Sequence, residues 1–456
     1  QRLSVAYRTQ GVQQRQDDAS INRFIHRDFL KGFGANRLQR ETGKGLQEFR
    51  DATCLTDYAS GVYLPLLAQG STDVATMVIR GSVAFKGNLW VIGEADVAGP
   101  NVSVFARRYV GSTTTWTAGG TLETTAVLVA LDIMAYKTGM IGLYAGRVAT
   151  DSHRTAYSTD GVTWTNTVTE ITASLLADAV ASHENSDFGL LAEIGNEKVA
   201  IVWDEDSGTI TFFSGTTLAG AWADEALDIP SGNGPQGVAV MKDVDNVTKL
   251  FVMTREGIWM VDTAPATWTA QFILPLPAHN DNGRRMTIHQ GKLWFGVGVD
   301  NSTPAPIWTM HIQGDLLVID TNQGLDKANG LPVEMMGPVR WMKSAGKLLF
   351  ASIGGGATSR NGRVIVHNGE GWHSRFRNGT ANQQVQWIDV SPDDDGTQRL
   401  HFAVRTGTDT SDTQFLAQPL VDPAAGATMA YATSGYVRMP YDDLGDPQTN
   451  ATIYQS

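Results

Sequence analysis

Cysteine is almost missing from this sequence: Cys54 stands alone, which excludes an internal disulfide, and no CxxC or Cys/His spacing offers a structural zinc site. Charge is sparse as well, at 18 % of residues, and the 35 basic side chains are outnumbered by 47 acidic ones for a net charge of −12. No basic stripe is found, so a nucleic-acid partner is not expected, because phosphate binding needs one. The acidity serves instead to keep a large body soluble. No run of about 18 apolar residues is present, so membrane insertion is not expected either. The opening QRLSVAYRTQ lacks the apolar stretch of a secretory signal, and Gln1 suggests that the natural chain starts earlier. Such a chain can fold in a reducing cytosol.

What is abundant is the material of strands and turns. Hydrophobic residues make up 42 %, there are 48 glycines, and 12 Trp, 11 Tyr and 16 Phe accompany frequent Thr and Val. Aromatic and β-branched side chains fit a pleated surface, and glycine permits the turns between strands. Residues 1–80 differ from the rest: they are polar, without sustained period, and read as an extended N-terminal arm with a few strands. Phe24, Ile25, Phe29, Leu30 and Phe33 are too apolar for a solvated tail, which points to an arm that contacts a neighbouring subunit.

From residue 81 to about 440 a repeat sets in. A turn residue followed by a run of strand formers starts at Gly87 (GNLWVIGE), Gly139 (GMIGLYAG), Asn196 (NEKVAIVW), Thr248 (TKLFVMTR), Gly291 (GKLWFGVG), Gly346 (GKLLFASI) and Gln398 (QRLHFAVR). The gaps are 52, 57, 52, 43, 55 and 52 residues. Apolar strands precede several of these turns, which makes each one a hairpin. A second element follows in five of the seven repeats: a strand, a short polar turn and a tryptophan, at Trp116, Trp164, Trp222, Trp268 and Trp372. Two hairpins per period make a four-stranded unit that cannot cover both its faces alone. Radial stacking can, and the expected fold is all-β, a propeller of about seven four-stranded blades behind the arm. A β-helix repeat would be shorter, and a sandwich pair would not return one pattern seven times. Residues 441–456 read as an exit strand that closes the ring or leads to a further domain.

The stretch AYSTDGVTWT resembles the Asp-box turn of sialidase-like propellers, with Ser158, Asp160, Gly161 and Trp164 matching and one residue fewer between Asp and Trp. The resemblance implies that the Asp accepts backbone N–H groups and the Trp packs between sheets. The wider layout, with GFGANRL and GLQEFRDA in the arm and SGYVRMPYDDLG at the exit, resembles propeller-bearing bacteriophage tail proteins. That implies a structural virion component, assembled in the host cytoplasm, with other virion proteins and further copies of itself as partners and a host-surface glycan or protein as a contact.

Enzymatic chemistry finds little support among the motifs. The Arg-Ile-Pro of sialidases is missing, and Arg284 and Arg285 are adjacent, so on a strand they would face opposite ways. The acidic runs DEDSG, DVDN and PDDDG fall at turns, where solvation is a simpler account than calcium, although Asp393 to Asp395 offer oxygens. His279, His289, His367 and His373 lack metal-site spacing and read as surface or turn residues. IGGGATSRNGR joins two strands, so no helix N-terminus follows to hold a phosphate. The expectation is therefore a chain that is not an enzyme, with no cofactor, no metal and no catalytic residue. The rival is a glycan-binding adhesion module stacking sugars on Trp90 or Trp308; a glycoside hydrolase ranks behind it.

Overall fold

A computed structural model describes most of residues 77–420, apart from short connecting stretches, together with the strands Gly32–Phe33, Glu48–Phe49, Asp51–Thr53, Gln69–Ser71, Ser434–Arg438 and Asn450–Tyr454. The fold is all-β: seven antiparallel four-stranded blades form a propeller. Among the described residues no helix is long and apolar enough to cross a membrane.

Blade 1 holds Met77–Phe85, Asn88–Ala95, Val104–Val110 and Thr115–Glu123. Blade 2 holds Leu128–Tyr136, Gly139–Gly146, Ser152–Ser158 and Thr165–Asn166. Blade 3 runs from Gly189–Ile194 to Ala223–Pro230, blade 4 from Gly237–Lys242 to Thr269–Pro275, and blade 5 from Thr287–His289 to Leu316–Asp320. Blade 6 runs from Val339–Ala345 to Trp372–Arg377. In blade 7, Gln383–Pro392, Gln398–Thr406 and Gln414–Pro419 are completed by Gln69–Ser71, which pairs antiparallel with the last of them. The first strand of each blade neighbours the first strand of the next, and that of blade 7 returns to blade 1, so the ring is closed.

Burial follows from stacking. The second strand of blade 3, Glu197–Asp204, is buried at six consecutive positions, because blades cover it on both faces. The outermost strand, Ala223–Pro230, is largely exposed. Segments from before blade 1 run along the ring's rim: Gly32–Phe33 adds in parallel to Trp372–Arg377 of blade 6, and Glu48–Phe49 adds to it in turn. Asp51–Thr53 joins Ser434–Arg438 and Asn450–Tyr454 in a separate three-stranded sheet.

The seven hairpins lie where the repeat puts them, but their registers differ. The second strand opens at Asn88, Gly139, Glu197, Thr248, Lys292, Leu348 and Gln398, offset by zero to two residues from the turn letters of the repeat. The next position is buried in every blade. It carries Leu89, Met140, Leu293 and Leu349 in blades 1, 2, 5 and 6, but cations in the other three: Lys198, Lys249 and Arg399. Lys249 pairs with Asp243 and Asp262, and Arg399 with Asp393. Lys198 is fully buried. It donates to the carbonyls of Leu218 and Gly220 at 3.3 and 3.0 Å and lies 4.2 Å above the Trp222 ring.

Burial pushes the Lys198 ammonium down to about 8. The unfolded chain holds that proton more tightly, so the group lowers stability below pH 8 and the deficit is relieved as pH rises toward the ordinary lysine range. Lys198→Met, which installs the residue of blade 2, is expected to leave stability at pH 7 equal or higher. It should also flatten the rise that the parent shows between pH 8 and 10.5 in urea titrations; a variant that unfolds more readily at pH 7 would contradict this account.

Candidate functional site

The Asp-box-like turn sits between the third and fourth strands of blade 2. The Ser158 hydroxyl accepts the Gly161 N–H at 2.7 Å, and one Asp160 oxygen accepts the N–H groups of Val162 and Thr163, both at 2.8 Å. The bonds from Thr163 and Val162 hold the Asp160 carboxyl down at about 2. Gly161 has φ +80°, and a Cβ there would land on the ring of Trp90. Trp164 is half-buried and donates to the carbonyls of Gly161, at 3.0 Å, and Gly119 of blade 1, at 2.9 Å.

The other blade tryptophans also reach backwards round the ring. Trp116 of blade 1 meets Phe415 of blade 7 edge-on at 5.8 Å. Trp222 of blade 3 donates to Thr155 of blade 2 at 2.8 Å. Trp268 of blade 4 lies 6.3 Å from Phe212 of blade 3, and Trp372 of blade 6 donates to the Gln323 carbonyl of blade 5 at 2.7 Å. Each fixes one blade to its predecessor. Trp90, a candidate for stacking on sugar, is core, whereas Trp308 is half-buried against Phe295.

A charged cluster at the ring axis escaped the sequence. Arg285 lies in the connection between blades 4 and 5, outside any strand and with φ +48°, so the strand argument that separated it from Arg284 does not hold. Its guanidinium crosses the ring. It pairs with Asp132 of blade 2 at 3.0 Å, donates to the carbonyls of Arg80 in blade 1 and Leu131 in blade 2, and lies 4.6 Å over Trp341 of blade 6. The second oxygen of Asp132 accepts the Leu191 N–H of blade 3 at 2.9 Å.

Beside it, Asp389 of blade 7 takes Lys343 of blade 6 at 2.8 Å and the Ser82 hydroxyl of blade 1, which itself accepts the Trp387 indole N–H. Asp281 lies between Arg284, at 3.6 Å, and Arg340, at 3.5 Å. Burial holds the Arg340 guanidinium below its ordinary range. The chemistry evident here is mutual charge compensation: these groups brace the axis by binding one another.

The acidic turns divide. Asp204 accepts a backbone N–H group of its own exposed turn, as solvated turns do, whereas Asp243 also accepts one but is largely covered and held by Lys249. Asp393 differs: it is buried and paired with Arg399 at 2.6 Å, with the ring of His401 at 3.3 Å. No group of three His, Cys, Asp or Glu able to hold a metal ion is found among the described residues. The surface placement of the histidines is also corrected, since His289, His367 and His373 are buried. Indolic and imidazole rings both have an apolar face, and these histidines fill the space between blades as the tryptophans do.

No family model matches the chain, and no curated protein matches it. Solved structures do. Sqt1 of Saccharomyces cerevisiae is similar at a TM-score of 0.47 and 9 % identity, over 78 % of this chain and 99 % of that one. The polysaccharide lyase Uly1 gives 0.43 and 10 %, over 86 % and 97 %. The GH43_1 enzyme of Xanthomonas citri gives 0.37 and 11 %, over 80 % and 94 %. At such identities the likeness concerns the fold alone. The expectation that the chain is not an enzyme is nevertheless corrected: the solved structures it is similar to include a glycoside hydrolase and a polysaccharide lyase.

Proposed function

We propose that the chain is a structural component of a bacteriophage tail, in which the propeller is a rigid body and the segment before blade 1 joins it to neighbouring copies. The observation that carries the proposal is the bracing of the axis. Arg285 and Asp132 between them touch blades 1, 2, 3 and 6 from the connection before blade 5, and Asp389 ties blades 6, 7 and 1. Charged groups so confined resist relative movement of the blades, which suits a part that bears load. The resemblance of the arm and exit segments to phage tail proteins supports the virion setting, where other virion proteins and a host-surface glycan or protein would be the contacts.

Native mass spectrometry with electron microscopy tests this directly. The full chain is expected as a symmetric homo-oligomer, and removal of residues 1–50 is expected to release monomers that remain folded. A full chain that stays monomeric would overturn the assignment, and one that also binds a glycan array would favour the adhesion module.

A further inference from the structure

The seam between blades 5 and 6 brings the buried His289 and His367 together with two tryptophans. From blade 5, His289 shares a hydrogen bond with Ser344 of blade 6 at 2.9 Å, and the Trp294 ring lies 5.1 Å from His367 and 6.2 Å from Trp372, both of blade 6. His367 in turn lies 5.0 Å from Trp372, and the next residue, His373, is fully buried and pairs with Val366 on the other face of the sheet. Trp372 also ties the seam to the rim, because Gly32 of the segment before blade 1 pairs with it.

The hydrogen bonding of His367 requires an uncharged ring. Its Nδ1 accepts the Gly369 N–H at 3.2 Å, and a proton on that nitrogen would abolish the bond and set two N–H groups against each other. His289 and His373 are the titratable groups whose charge reaches it. The other charged groups on the packed elements are Lys292, across the hairpin from His289, Asp320 beside Gln323, and Arg375 two places beyond His373. Protonating one of three close imidazoles raises the cost of the next, and Lys292 adds to the positive charge.

We infer that the blade 5–6 seam is a proton-operated joint: protonation of His367 parts the two blades at Trp294 and Trp372 and loosens the rim strand Gly32–Phe33 that pairs with Trp372. Burial, and then the neighbouring His289 and His373, push the His367 imidazole down to about 4. The unfolded or opened chain takes up its proton at the ordinary histidine value near 6.5, so seam stability is complete above that pH and is lost progressively toward pH 4. Imidazole protonation does on this seam what it does in pH sensors generally, where a buried neutral ring becomes a buried cation.

Hydrogen exchange read by mass spectrometry on the full chain, corrected for the intrinsic effect of pH, tests the joint. Between pH 7 and 4.5, peptides covering 287–296, 363–377 and the rim strand at 32–33 are expected to lose protection at least tenfold, while blades 2 and 3 keep theirs. His367→Gln supplies an amide oxygen for the Gly369 N–H without a titrating proton, and it is expected to hold the seam closed at pH 4.5. Unchanged protection at the seam of the parent protein, or equal loss in every blade, would overturn the inference. So would a folded His367→Gln that opens as the parent does; should that variant fail to fold, the distribution of exchange in the parent decides alone.

Discussion

Arg399→Met is expected to lower the stability of the folded chain by roughly 3–5 kcal/mol, the range for removing one partner of a buried ion pair. The magnitude comes from what is left behind. The Asp393 side chain has no exposure and that of Arg399 has 4 %, so the carboxyl group would be left buried without its close partner or enough water. The pair also stands at the seam where the last blade meets the first: His401 next to Asp393 lies 4.6 Å edge-on to Tyr109 of blade 1, and a Cβ at Gly111 of blade 1 would collide with both side chains. Urea titration followed by tryptophan fluorescence measures the loss. Asp393→Asn combined with Arg399→Met is expected to recover about half of it, because the stranded charge is then gone. A single variant within 1 kcal/mol of the parent would show that closure does not depend on the pair.

Asp132→Ala is expected to be of similar size, roughly 3–5 kcal/mol, by the reverse route. Here the stranded charge is Arg285, whose side chain is 11 % exposed and which would lose its bond to the Asp132 carboxylate while keeping the Arg80 and Leu131 carbonyls and the Trp341 face. Leu191 loses the acceptor of its N–H at the same time. The loss should appear across blades 1, 2, 3 and 6 together, as a coordinated fall in amide protection instead of a local one. Confinement of the change to blade 2 would mean that the axis is not braced as a unit.

The general architecture was legible because it rests on local pattern. A hairpin needs a turn residue between two strand-forming runs, and that signal survives at Gly87, Gly291 and Gly346 regardless of the rest of the chain. Register was less legible. At the position after the second strand opens, Lys198, Lys249 and Arg399 stand where other blades have leucine or methionine, so the letters mislead by a residue or two until the partners of each cation are known. The axis was not legible at all: Arg285 and Asp132 are 153 positions apart, and nothing in either neighbourhood announces the other. The histidines were misjudged for a related reason. Turn-adjacent His289 and His367 look solvated in the chain, and only the packing of one blade on the next covers them.

The last blade borrows its outermost strand from Gln69–Ser71, upstream of every other blade. During synthesis at about 5–20 residues per second, that strand leaves the ribosome roughly 20–70 s before its pairing partner at Gln414–Pro419 exists. Its backbone donors must wait unpaired while six other blades form, which makes the nascent chain vulnerable to strand exchange between neighbours on one message. The borrowed strand also registers completion, since a chain halted anywhere before residue 414 lacks the partner with which Gln69–Ser71 pairs.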